Sequence, residues 1–279
     1  MKMKHKKIII FALFSCFLFA SSVSSTMITT NSITDSIIQE DTVFIEYATA
    51  TWCPECPIAS ETLYELQSND SQFYYVTLVV DTNQAGNQRS SDYTNYAIPS
   101  VYFDGGYQQY IGGGESLTAE YTSLIEETLQ RSNRKNIQMT GEIEVVNDNQ
   151  LMLSIDVTNA DQRPYFGTIR TYITEKESRW NDFDGNPYHY GLLDFAIDQS
   201  IQIKKGETIT IETQWNPNDT STGESFPNVS TDNLQIFTTV SHWIPHFRTG
   251  FFQFPYLQLY FAHYRSEEHT SELQSLLII

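Results

Sequence analysis

Val43-Phe44-Ile45-Glu46-Tyr47 and, a few residues on, Trp52-Cys53-Pro54-Glu55-Cys56 form the stretch on which the fold reading turns. The first five residues are an apolar run suited to a buried strand. After Pro57, Ala59, Leu63 and Leu66 recur at i, i+4 and i+7, the face of a helix. The order is therefore strand, short loop, Cys-x-x-Cys, helix. The cysteines fall in the loop and the first helical turn, where backbone N–H groups are unpaired and point at whatever sits there. A thiolate in that place is stabilised and its pKa falls. Cys56 lies one turn further in, near enough to Cys53 to close a short disulfide. An exposed nucleophile with a resolving partner is what thiol–disulfide exchange requires.

Working outward, Phe73 to Val80 is a second strand, rich in aromatic and β-branched residues. Asp81 to Ser91 reads as a polar loop and Asp92 to Ala97 as a short helix ended by Ile98-Pro99. Ser100 to Phe103 is a third strand, and Gly105-Gly106 turns the chain into a fourth at Tyr107 to Ile111. Ser116 suits the N-cap of a helix running to about Arg134, with Leu117, Tyr121, Leu124, Ile125 and Leu129 on one face. Residues 42–135 thus have the size of one domain.

This segment resembles the thioredoxin family. Trp52-Cys53-Pro54-Glu55-Cys56 after a strand matches that family's active site, and Ile98-Pro99 before a strand and a Gly-Gly hairpin matches its cis-proline. The resemblance implies an α/β thioredoxin-like domain whose Cys53 and Cys56 exchange disulfides with protein clients. Trp52 and Pro99 would shape a peptide groove, with no metal and no organic cofactor. The family's buried acid, which helps deprotonate the second cysteine, sits on the strand before the motif. Glu46 is the nearest match, although the connecting segment here is one residue longer; the alternative is a solvent-facing strand glutamate. Pro54-Glu55 replaces the family's Gly-Pro, and an anion beside the thiolate raises its pKa. The direction of exchange therefore stays open.

After Asn136 the pattern changes to short alternating runs: Ile137 to Val145, Leu151 to Val157, Phe166 to Thr174, Leu192 to Ile197, Ser200 to Ile203, Thr208 to Trp215 and Leu234 to Val240. These predict an all-β sandwich over residues 137–262, similar in architecture to immunoglobulin-like and fibronectin-like modules but without their Cys…Trp…Cys signature. Trp180, Tyr188, Tyr190, Trp215 and Trp243 suit either core packing or a binding platform, and core packing is the commoner use. Ser178 to Asn186 places several oxygens in one loop, but without the spacing of a calcium-binding hand it reads as a solvated loop.

The ends carry different information. Lys2, Lys4, Lys6 and Lys7 precede an apolar run from Ile8 to Ala20 and a small-residue stretch to Ser25, the pattern of a signal peptide over 1–25. Residues 26–41 read as a linker. Arg265 to Ser275 resembles the translation of a sequencing-library adapter, so residues 265–279 are set aside as an artefactual tail that displaces the authentic C-terminus. A net charge of −18 disfavours nucleic acid and anionic membrane surfaces as partners. The expected setting is secreted or extracytoplasmic, with membrane anchoring through an uncleaved N-terminus or a lost C-terminal segment as a variant. The expected partners are protein thiols and disulfides and a further redox partner.

Two rival readings compete for the cysteines. A zinc site needs four ligands, and His242 and His246 lie far along the chain with Pro245 between them. An inert disulfide would suit a surface adhesion protein whose second half carries the function.

Overall fold

The computed structural model describes residues 42–69, 72–93, 97–114, 116–131, 135–146, 149–219, 224–242, 246–249, 259–262 and 273–278. The expected leader and linker lie outside the described residues.

Strand β1 (Val43–Thr49) is buried along its whole length, which marks it as a central strand covered on both faces. It runs parallel to β2 (Phe73–Val79) and antiparallel to β3 (Ser100–Phe103), which pairs with β4 (Gln108–Ile111). Alternation sends Val43, Ile45 and Tyr47 to one face. There they meet Ala59 and Leu63 of α1 (Cys56–Asn69) and Leu117, Tyr121 and Ile125 of α3 (Leu117–Leu129). A third helix, α2 (Gln84–Ser91), forms where a polar loop was expected. The Asn83 side chain caps it by accepting the Gly86 N–H at 2.5 Å.

The second half holds β5 (Ile137–Val145), β6 (Leu151–Asn159), β7 (Tyr165–Asn181), β8 (Pro187–Ile203), β9 (Thr208–Trp215) and β10 (Leu234–His242). Two short strands, β11 (His246–Thr249) and β12 (Leu259–Ala262), pair with each other. The last strand, β13 (Leu273–Ile278), pairs antiparallel with β10, although it lies in the segment that the sequence reading set aside.

The expected fold class, an α/β thioredoxin-like domain followed by an all-β sandwich, is corrected here. The described residues form a mostly β fold with three α-helices and one large mixed sheet. Its order is β13-β10-β7-β8-β2-β1-β3-β4, so both halves of the chain contribute. The join is a parallel pairing of β2 with β8 through Thr77 and Gly191, reinforced by the Thr77 hydroxyl donating to the His189 carbonyl at 2.7 Å. The runs read as separate short strands, Leu192–Ile197 and Ser200–Ile203, are one strand that begins at Pro187. A smaller sheet, β5-β6-β9, packs Ile137, Met139, Ile155 and Val157 against Ile169, Ile197, Ile201 and Val240 of the large one.

The large sheet cannot be flat. Phe44 of β1 lies 5.1 Å from the ring of Tyr172 on β7 and 5.7 Å from that of Phe237 on β10. Those strands stand three and four places along the sheet, roughly 14 and 19 Å away if it were flat. The sheet therefore curls and closes an aromatic interior of Phe44, Val76, Leu78, Tyr172, Leu192 and Phe237.

The join tolerates no side chain at Gly191. A Cβ there would stand 2.4 Å from Ser178 Oγ and 2.8 Å from Ser178 Cβ across the β7–β8 hairpin. Gly191→Ala should therefore lower unfolding stability by about 1–3 kcal/mol, the usual cost of overpacking. Adding Ser178→Gly should restore most of it. A loss below about 0.5 kcal/mol in urea denaturation would mean that β7 and β8 part easily at this point.

Candidate active site

Cys53 and Cys56 form a disulfide whose Cα atoms are 5.4 Å apart. Cys56 is the first residue of α1, and Cys53 lies in the loop before it. Trp52, Pro54 and Glu55 are exposed around them, Trp52 by 63%. The cysteines are not: Cys53 is 3% exposed and Cys56 is fully covered. The expected exposed thiol is therefore a thiol sheltered by an exposed rim in the disulfide form. The backbone sets the loop, with the Cys53 N–H on the Ala50 carbonyl (3.1 Å) and the Cys56 N–H on the Cys53 carbonyl (3.3 Å). Thr51 ties the entry of the loop to Asp81, donating from its N–H at 3.1 Å and from its hydroxyl at 2.5 Å.

Ile98 and Val80 pack against Ala50, Cys53 and Cys56. The Ile98–Pro99 peptide bond is cis, and the Pro99 carbonyl accepts the Gly112 N–H at 2.8 Å. The glycine run that follows passes beside Glu55. A Cβ on Gly113 would come within 3.0 Å of Glu55 Oε2 and 3.2 Å of its carbonyl oxygen. Trp52, Pro99, Cys53 and Cys56 thus belong to one neighbourhood formed by the motif loop, the β3 entry and the Gly112–Gly114 turn.

Glu46 has a different set of hydrogen-bond partners. Its side chain leaves β1 on the face opposite Tyr47, as alternation requires. There it is 1% exposed and accepts both Arg89 Nε and Nη2 at 2.7 Å, the Tyr172 hydroxyl at 2.9 Å and the Tyr93 hydroxyl. Burial alone would raise its pKa. The Arg89 guanidinium and the hydrogen bonds from Arg89 and Tyr93 outweigh burial and hold the carboxyl below its ordinary range. The glutamate is not solvent-facing; it ties β1, α2 and β7 together.

The residue that does reach the motif from β1 is Tyr47. Its hydroxyl donates to the Cys56 carbonyl at 2.8 Å and lies 3.1 Å from Thr49 Oγ1. Thr49 in turn lies 3.0 Å from the hydroxyl of Tyr188 on β8, which donates to the Ala50 carbonyl at 3.1 Å. Burial pushes the Tyr188 phenol up to about 12 and the Tyr47 phenol well above the ordinary tyrosine value, so both stay neutral while thiols titrate. The sequence alone marks Tyr188 only as a core or platform aromatic. Its role depends on the β2–β8 join, which leaves no local pattern. The loop weighed as a calcium ligand set is a hairpin turn, in which Asp182 Oδ1 accepts the N–H groups of Asp184 (3.0 Å) and Asn186 (2.9 Å).

No family model and no curated protein matches the chain in sequence. Among solved structures it is similar to HBP35 of Porphyromonas gingivalis, with a TM-score of 0.56 at 10% identity over 85% of this chain and 74% of that one. It is also similar to protein AGR_C_4864 of Agrobacterium tumefaciens, with a TM-score of 0.50 at 11% identity over 87% of this chain and 96% of that one. At these identities the likeness concerns the fold alone. A partial likeness to thioredoxin O2 of Arabidopsis thaliana, with a TM-score of 0.27 at 20% identity, spans 31% of this chain and 75% of that one and carries no argument.

Proposed function

We propose that the protein is a thiol–disulfide oxidoreductase that acts on protein clients through Cys53 and Cys56. The observation that carries this reading is the placement of the pair. It is a disulfide at the first turn of a 14-residue helix, ringed by exposed Trp52, Pro54 and Glu55. A purely structural bridge gains nothing from that rim, whereas a helix start lowers the pKa of a thiol and an open rim admits a client.

Cys53 is the attacking residue because it lies in the loop, while Cys56 is wholly covered. In the reducing direction the Cys53 thiolate attacks one client sulfur. The client S–S bond breaks, a Cys53–client bond forms and the client's other sulfur leaves as a thiolate. Cys56, deprotonated, then attacks the Cys53 sulfur and releases the second client thiol. Two electrons and two protons pass from the dithiol to the client, and the Cys53–Cys56 disulfide remains. A dithiol reductant must restore the pair. Oxidation of a client dithiol is the same sequence reversed.

The leader pattern read over residues 1–25 supports action outside the cytoplasm, where such clients occur. Among the described residues no helix is long and apolar enough to cross a membrane.

The test is turnover. With dithiothreitol as reductant, the protein should accelerate reduction of insulin well above the rate of dithiothreitol alone. A rate equal to that background would overturn the reading.

A further inference from the structure

We propose that Tyr188, from the second half of the chain, is a positioning residue for the Cys53–Cys56 pair and acts through the Ala50 carbonyl. The proposal rests on the exchange reading above. Tyr188, Thr49 and Tyr47 form a row of buried hydroxyls between two carbonyls of the motif loop, those of Ala50 and Cys56. All three residues are 0% exposed, so bulk water offers them no alternative partner.

Proton counting shows how the row is arranged. It has four O···O contacts and only three hydroxyl protons. Carbonyl oxygens can only accept. Tyr188 therefore gives its proton to Ala50, and Tyr47, the donor in both of its contacts, shares its proton between the Cys56 carbonyl at 2.8 Å and Thr49 Oγ1 at 3.1 Å. Thr49 accepts from Tyr47 and gives its own proton to Tyr188. The two carbonyl bonds are the ones that hold the loop; Thr49 bridges the phenols and holds neither carbonyl.

The Ala50 carbonyl matters because it also accepts the Cys53 N–H at 3.1 Å. Tyr188 thus fixes the acceptor that sets where the Cys53 backbone begins, while Tyr47 fixes the far end at Cys56. Both bonds are in place in the disulfide form. On this proposal both bonds hold the closed disulfide loop more tightly than the open dithiol loop, so removing either should disfavour the disulfide form by up to roughly fivefold, the equilibrium worth of one net buried hydrogen bond.

The experiment is an equilibrium titration of the full chain against glutathione. The protein disulfide takes two electrons and two protons from two glutathione molecules, which leave as one glutathione disulfide. Tyr188→Phe keeps the ring in the core and removes only the hydroxyl. It should shift the equilibrium by up to roughly fivefold toward the dithiol, and Tyr47→Phe should shift it the same way. Thr49→Val leaves both carbonyl bonds intact and should stay within about twofold of the parent. The Thr49 variant separates positioning from general loosening, because a merely structural row would respond to all three changes alike. Equal shifts in all three variants, or none in Tyr188→Phe and Tyr47→Phe, would overturn the proposal. The exchange reading is judged separately. A parent protein that equilibrates with glutathione but fails to reduce insulin would sink that reading, and the titration would still decide the role of Tyr188.

Discussion

Arg89→Met should lower the unfolding free energy at pH 7 by about 3–5 kcal/mol, the usual cost of stranding one member of a buried ion pair. Glu46 would keep its place at 1% exposure and lose both guanidinium bonds, retaining only the hydroxyls of Tyr93 and Tyr172. The cost should depend on pH with a definite sign. In the parent the Glu46 carboxyl is held below its ordinary value of 4.5, so its stabilisation is fully present above that value and is lost as pH falls through the lower folded value. In the variant an unpaired buried carboxylate takes up a proton readily. The difference between parent and variant should therefore shrink as the pH is lowered from 7 towards 4. Urea denaturation at both pH values checks this. A penalty below about 1 kcal/mol at pH 7 would mean that Glu46 and Arg89 do not hold β1, α2 and β7 together.

The second large effect concerns chemistry. Cys53→Ser should reduce insulin turnover to the reductant's own background, because a serine hydroxyl stays protonated near neutral pH and cannot displace a thiolate from a disulfide. The reduced chain should lose no more than about 1–3 kcal/mol of stability, the cost of burying a hydroxyl among Ala50, Val80 and Ile98. Retained turnover in Cys53→Ser would place the activity elsewhere in the chain.

The motif was legible because its signals are local. An apolar run, two cysteines three apart and a helical face follow one another within about 25 residues, and the structure forms β1, the loop and α1 there. The alternating runs at Ile137 to Val145 and Leu151 to Val157 were legible for the same reason, each having one buried face.

What escaped was long-range. Tyr172, Ile173, Thr174 and Glu175 are buried in succession because β7 lies inside the curl, and this breaks the alternation that a half-exposed strand displays. Helix α2 escaped because its residues are almost all polar; Asn83 as an N-cap was the one local sign. The role of Glu46 escaped because a carboxylate in an apolar strand announces a buried cation without saying which one. Its partner, Arg89, sat in a stretch read as loop. The fold-class expectation failed at Gly191. That residue looks like a strand breaker, yet it is where β8 meets β2.

The central claim is that Cys53 attacks a client disulfide and Cys56 resolves the product. Trapping tests it most directly. Reduced Cys56→Ser protein, mixed with a disulfide-bonded client and quenched with acid, should give a covalent one-to-one adduct. Peptide mapping should place the bond on Cys53, and an excess of dithiothreitol should release the client. No adduct, or an adduct on any other residue, would contradict the account.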